Sequence, residues 1–350
     1  MTNPVKPMFR LLANNNDITS TINDRLISLH YTDETGNTSD MLEINLSDHI
    51  PSKPIAIPPT GAQLTLFLGY DGVLRNMGVF MVDEIELSGP PGKMHLRARA
   101  ASFDELNGGV YHLQTQKLRH WKIGTTISAM VQQIAKEHGM IGKVAASLAS
   151  IQLPNVDQQD ESDLNMLLRV VGKKYDAVIK PIGNLIIVAK RGDFQSVSGQ
   201  PLPTATLVAT DCTSWHMTEQ RRDGAGTVVA AYHDKRKTAR HYVSVGSGQP
   251  VLRIKQHFQN QAEAQAAATA ELTRRKREQT RMSVTMPGRT DLVAEAEVTL
   301  QGWRTGVNTT WLANKVEHSL DSSGYVCTVE MELPNPGQTY EMQDSTENPA

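Results

Sequence analysis

The stretch "VDQQDESDLNMLLRVVGKKYDAV", residues 156–178, sets Asp157, Asp160, Glu161 and Asp163 within seven positions, directly ahead of an apolar-periodic run. Carboxylates this dense suit a cation site, acid/base chemistry, or the start of a helix. A calcium loop of the EF-hand kind begun at Asp157 needs a glycine and a glutamate where Ser162 and Leu168 stand. Begun at Asp160, it puts Leu164 at a ligand position. Acid/base work needs a partner, and no histidine stands at a fixed spacing. What remains is a helix N-terminus. Asp160 or Ser162 is its cap, and the acidic residues lie where the helix dipole favours negative charge. Leu164, Leu167, Leu168, Val171 and Tyr175 then share one apolar stripe at helical spacing.

Reading outward from this helix places the rest of a small middle region, residues 111–195. Upstream, Ile127, Met130, Val131, Ile134 and His138 recur at helical spacing, with Thr125 and Thr126 as caps and Gly139 just past the end. Downstream, "DAVIKPIGNLIIVAKRG" (176–192) reads as a hairpin turning at Gly183 and Asn184.

The flanks have a different period. Leu42, Ile44 and Leu46 alternate with Glu43, Asn45 and Ser47, and Met94, Leu96, Ala98 and Ala100 alternate with Lys93, His95, Arg97 and Arg99. A period of two belongs to a sheet with one buried and one wet face. Short strands at regular spacing over residues 1–110 predict a small barrel or sandwich. The Ser/Pro/Gly-rich "SVSGQPLPTAT" (196–206) predicts a domain boundary. Residues 196–337 return to β patterning, with Tyr325, Cys327, Val329, Met331 and Leu333 on one face of the last strand. One long helix interrupts them near residues 261–279, free of Gly and Pro. A polar tail, 338–350, closes the chain.

Composition narrows the chemistry. The formal net charge of −2 gives no bulk electrostatic case for nucleic acid or anionic membrane. Two cysteines, Cys212 and Cys327, fit a reducing compartment. No apolar leader and no window long enough to span a membrane stand out, so synthesis in the cytosol is expected. Cys212 and His216 are two ligands without a site, and Ser247 lacks the G-x-S-x-G frame because Val245 replaces its first glycine. Neither a Walker A nor a dinucleotide-binding glycine pattern occurs. Two basic runs remain. "HDKRKTARH" (233–241) reads as a loop. Arg274, Arg275, Lys276 and Arg277 spread around the end of the long helix, which fits a solvated or interface face and not a phosphate-tracking stripe. The residues indicate no enzyme, cofactor or metal.

Four blocks in order carry a resemblance. They are "PMFRLLANNNDITSTINDRLISLHYTDETGNTSDMLEINL", "LGYDGVLRNMGVFMVDEIELSGPPGKMHLRARAASF", "TTISAMVQQIAKEHGM" with the acidic stretch and its hairpin, and "GWRTGVNTTWLANKVEHSLDSSGYVCTVEMEL". From about Lys6 to Pro334 the chain resembles the phage late control gene D protein family, the baseplate hub of contractile tails. More distantly, it is similar to the hub portion of the VgrG spike proteins of type VI secretion. The resemblance implies a mainly β chain with α+β insertions. It implies two tail-tube-like β-barrel domains, one on each side of the middle region, the second holding the long helix. It further implies a homotrimer with pseudo-sixfold symmetry that joins the hexameric tube, or its first ring, to a trimeric spike. The tape measure protein and other baseplate proteins are further implied partners, with no membrane and no specific nucleic-acid binding. The implied location is the virion baseplate, after assembly in the host cytoplasm. The alternative is a baseplate-associated cell-wall hydrolase, for which the sequence shows no catalytic set.

Overall fold

Alternating side chains over the first hundred residues produce strands whose apolar faces meet. Strand Met41–Ser47 buries Leu42, Ile44 and Leu46 and leaves the residues between them partly wet. With Pro7–Ala13, Leu26–Glu34, Gln63–Tyr70, Val73–Ser88 and Lys93–Ala100 it encloses a core of Leu11, Leu29, Leu66 and Phe80. These strands come from a computed structural model that describes residues 5–36, 39–50, 52–100, 112–182, 184–193, 202, 204–220, 226–234 and 239–334. The segment 196–201, most of the expected boundary, and the tail 338–350 lie outside the described residues, as does Gly183 of the expected hairpin turn.

A second β lobe uses the C-terminal strands. Thr204–Val208, Ser214–Glu219, Thr280–Pro287, Glu297–Gln301, Thr310–Asp321 and Gly324–Glu332 surround Trp311, Val284, Val298, Cys327 and Val329. The lobes join edge to edge through Thr310–Asp321. Its first residues, Thr310–Leu312, pair with Glu297–Thr299, and after a bulge at Asn314 the segment Lys315–Asp321 pairs with Ser28–Glu34. Asn314 Oδ1 accepts hydrogen bonds from Thr35 Oγ1 at 2.7 Å and from Arg191. One strand thus divides its edge between two lobes.

This junction corrects the expected pair of closed barrels. Among the described residues no sheet closes. The two lobes form one open 13-stranded sheet, with Ser214–Glu219 at one end and Asn16–Asp17 beside Pro7–Ala13 at the other. Closing the first lobe would require Leu26–Glu34 to offer its second edge to that lobe's own far strand. Lys315–Asp321 already occupies that edge. The mainly β class with α+β insertions is what the chain adopts.

Two smaller units complete the chain. The middle unit packs helix Ile127–Glu137 and the acidic-stretch helix against strands Ile141–Val144, Ala177–Ile182 and Leu185–Lys190. Thr126 Oγ1 accepts from Ala129 N at 3.1 Å and caps the first helix. The other unit is inserted between Ser214–Glu219 and Thr280–Pro287, which pair with each other directly. Strands Thr227–Asp234, Ala239–Gly246 and Val251–Phe258 form its sheet. Helix Gln261–Glu278, capped by Asn260, lays Ala264, Ala267, Ala268 and Leu272 on one face of that sheet.

Candidate functional site

The acidic stretch is divided between a strand and a helix. Val156–Ser162 pairs antiparallel with Gln116–Trp121, and the helix begins only at Asp163. It runs Asp163–Leu167, continues through a π-helical turn Leu168–Gly172, and ends at Lys173–Tyr175. Ser162 is the N-cap, its Oγ accepting from Asn165 N at 3.2 Å. Asp160 sits in the strand's bulge at φ +47°, two residues before the cap. Leu167 and Val171 are fully buried, while Leu164, Leu168 and Tyr175 pack half-buried against the same core. Met166 and Val170 are buried as well, on the face that Asp163, Leu167 and Val171 share at helical spacing. Ser162→Ala is expected to cost about 1 kcal/mol, measurable by urea denaturation of the purified protein.

The four carboxylates do not converge. Asp157 meets His120 across the strand pair at 2.5 Å, and Glu161 accepts from Arg169 Nη2 at 2.6 Å. Asp163 alone is enclosed, at 0% exposure. Lys117 Nζ (2.6 Å), His138 Nε2 (2.8 Å) and Gln158 Nε2 (2.9 Å) donate to it, together with Arg119. Burial by itself would raise its pKa. The hydrogen bonds from His138, Lys117 and Gln158 and the Arg119 charge outweigh burial and hold the carboxyl far below the usual carboxylate range. Arg119 and Lys117 also reach Glu137 at 2.7 and 3.1 Å, so two cations face two carboxylates. With its acceptor sites taken, Asp163 fastens the helix start to the strand pair. No group of three or more metal-ligating side chains occurs among the described residues.

The basic run at the end of the long helix divides too. Arg274 and Arg275 pair with Glu271 on their own helix and stay partly exposed, as does Lys276. Arg277 is 1% exposed. It lies within 2.6 Å of Asp176 at the end of the acidic-stretch helix and 3.2 Å from Glu332 in the second lobe. Arg191 reaches the same Glu332 oxygen at 3.1 Å. Arg277 therefore serves a contact inside the chain, between the middle unit, the inserted unit and the second lobe. Two further pairs act likewise: Lys174 with Glu263, both buried, and Lys180 with Asp33 (3.0 Å) and Asp40 (2.7 Å). Burial, then the neighbouring Asp33, pushes Asp40 up to about 6 against the pull of Lys180.

Glu295 stands beside this network at φ +64°, its Oε1 shut from solvent and without a hydrogen-bond partner. Burial pushes its carboxyl up to about 7, Arg191 pulling it down and Glu332 pushing it further up. A carboxyl raised in the folded state contributes stability below its unfolded pKa and loses it as pH rises through the folded value. Glu295→Gln is therefore expected to raise the melting temperature at pH near 8 and to have little effect near pH 4. The gain is on the order of 1–3 kcal/mol.

The wet face of the large sheet is continuous across both lobes. Register places Glu330, Lys315 and Glu34 in one row, and His30, Glu43, Arg97 and Glu84 in another. Arg97 bridges Glu43 at 3.0 Å and Glu84 at 2.5 Å. Opposite charges on neighbouring strands neutralise each other, leaving a broad polar surface. A cleft of about 520 Å³ opens where Arg191, Arg281, His216, Asn314, Glu330 and Glu332 meet. Cys212 and His216 do not combine: Cys212 donates weakly to Val208 O, and His216 contacts Thr218 Oγ1 at 2.9 Å.

Sequence reasoning alone did not find the clamps built on Lys180, Arg191 and Glu332. Lys180 and Arg191 lay in the expected hairpin and Arg277 in a basic run, but none pointed to its partner, which is distant in the chain.

Comparison with known proteins finds relatives of the whole chain. The model of the family described as Phage tail baseplate hub (GPD) matches residues 113–324. A probable baseplate hub protein of Escherichia phage 186 is 31% identical, over 97% of this chain and 96% of its own. Among solved structures, the 43 kDa tail protein of prophage MuSo2 from Shewanella oneidensis superposes with a TM-score of 0.66 at 12% identity, over 94% of this chain and 99% of that one. A chain of the Francisella PdpA-VgrG complex superposes with a TM-score of 0.57 at 7% identity, covering 95% of this chain and 59% of that one.

Proposed function

Since the chain belongs to the phage tail baseplate hub (GPD) family, a structural and not an enzymatic component of the virion tail, we propose that three copies form the ring that joins tube to spike. The observation that carries this reading is the pair of β lobes. Each has six main strands and its own core, and the two are joined edge to edge by Thr310–Asp321. Three copies present six such lobes upward, which suits a sixfold tube, while keeping threefold symmetry below for a trimeric spike. The ionic clamps support the reading mechanically. A ring under axial load must transmit force between lobes, and Lys180, Arg191 and Arg277 tie the middle unit to both of them. The first tube ring and the tape measure protein are the further partners of this arrangement.

Light scattering coupled to size exclusion tests the ring, alone and with the cognate spike protein. The expected species has three times the 38.5 kDa chain mass. A protein that stays monomeric both alone and in the presence of the spike protein would overturn the reading.

A further inference from the structure

The basic run 233–241 ends on the strand Ala239–Gly246 of the inserted unit. In the inserted unit, Val228, Ala230, Val243 and Val245 face the long helix. Register sets Tyr242 opposite Ala231 and Arg253 opposite Val229, both on the other side of the sheet, with Arg240 two residues before Tyr242. This outer side meets solvent: Tyr242 is 58% exposed, and Arg240, Arg253 and Lys255 are exposed around it. The Arg253 guanidinium lies 5.9 Å from the Tyr242 ring centroid, over its face.

The charge on this unit is lopsided. From Thr227 to Gln279 the sequence holds ten Lys and Arg against four Asp and Glu, in a chain whose net charge is −2. None of Arg240, Arg253 and Lys255 has an ion-pair partner among the described residues. By contrast, Arg97, Arg119, Arg169 and Arg277 are all paired within the chain. Clustered unpaired cations repel one another, and a complementary acidic surface removes that repulsion. An exposed tyrosine beside arginines is also the composition that concentrates binding energy at protein interfaces.

We propose that this sheet face docks an acidic segment of another protein, its carboxylates pairing with Arg240, Arg253 and Lys255 and its chain packing on Tyr242. Nucleic acid fits less well. The chain as a whole is close to neutral at −2, and a single tyrosine is no stacking platform.

The inference does not depend on the ring, and peptide binding is read apart from the oligomeric state. Fluorescence anisotropy on the full chain, with a labelled poly-glutamate peptide at low ionic strength, should show binding that weakens with salt. Arg253→Glu combined with Lys255→Glu should reduce that affinity roughly a hundredfold, and Tyr242→Ala roughly tenfold. Lys122→Glu, an exposed cation of the middle unit, should leave it unchanged. Unchanged melting temperatures would show that the variants fold. Four results would overturn the proposal: no peptide binding, equal binding by all variants, tighter binding of a DNA duplex lost in the same variants, or a change in oligomeric state on charge reversal.

Discussion

Asp163→Ala is expected to destabilise the middle unit by about 3 kcal/mol, because it removes a buried carboxylate that accepts four hydrogen bonds, three of them from charged or titratable donors. Lys117 and Arg119 converge on Asp163 from one strand, and His138 from the end of the neighbouring helix. The alanine variant takes the Asp163 acceptor from the buried His138, while Lys117 and Arg119, partly exposed, keep only Glu137 as counter-charge. Asp163→Asn keeps the size and part of the hydrogen bonding but removes the charge, so it should cost less than alanine. Acid titration separates the two contributions. A carboxyl held far below its unfolded pKa of about 3.9 contributes stability above that value, and the contribution is lost as pH falls through the folded pKa. The unmodified protein should therefore lose protection in the middle unit below pH ~4, and Asp163→Asn should lose less over the same range. Hydrogen exchange across residues 112–193 measures both. If Asp163→Ala retained full protection, Asp163 would be an incidental buried acid and not the fastening it is taken to be.

Arg277→Ala is expected to cost about 3–5 kcal/mol, whereas Arg274→Ala and Arg275→Ala should each cost about 0–1 kcal/mol. The three residues lie in one run of four cations, so composition predicts equal effects. Burial separates them. Arg277 holds Asp176 and Glu332 together at 1% exposure, while its neighbours pair with Glu271 at the surface. Arg277→Met should remain destabilising because the carboxylates lose their cation. Combining it with Glu332→Gln should recover part of the loss, the non-additivity expected of a coupled pair. Thermal melting of the five variants reads the order directly, and equal losses across the run would refute the clamp.

The acidic stretch shows how far local reading reaches. The helical stripe of Leu167 and Val171 and the capping strength of Ser162 are properties of residues within four positions of one another, and they were legible. The extent of the preceding strand was not. Asp157, Asp160 and Glu161 alternate poorly, and they form a strand because Gln116–Trp121 lies beside them. The π-turn at Leu168–Gly172 was equally hidden, since it answers to packing and not to propensity. The long helix was plain from its alanines. The sheet it covers was not assigned to it, because nothing local states which of several β segments an apolar helix face will meet.

By itself the sequence determined the periods, the caps, the mainly β class and, through four ordered blocks, the family. Each of these rests on neighbours in the chain or on the order of segments. Only the tertiary structure decided which strand edges meet and which charges leave water. Alternation within Leu26–Glu34 satisfies an open sheet as well as a barrel. The choice fell to Lys315–Asp321, which takes that strand's second edge and carries the sheet from one lobe into the next. The clamps follow the same logic: Arg277 finds Asp176 across 101 residues, and Lys180 finds Asp33 across 147. A charge in a sequence has no address until folding supplies its partner, and burial then turns the same residue type from a surface cation into a fastening.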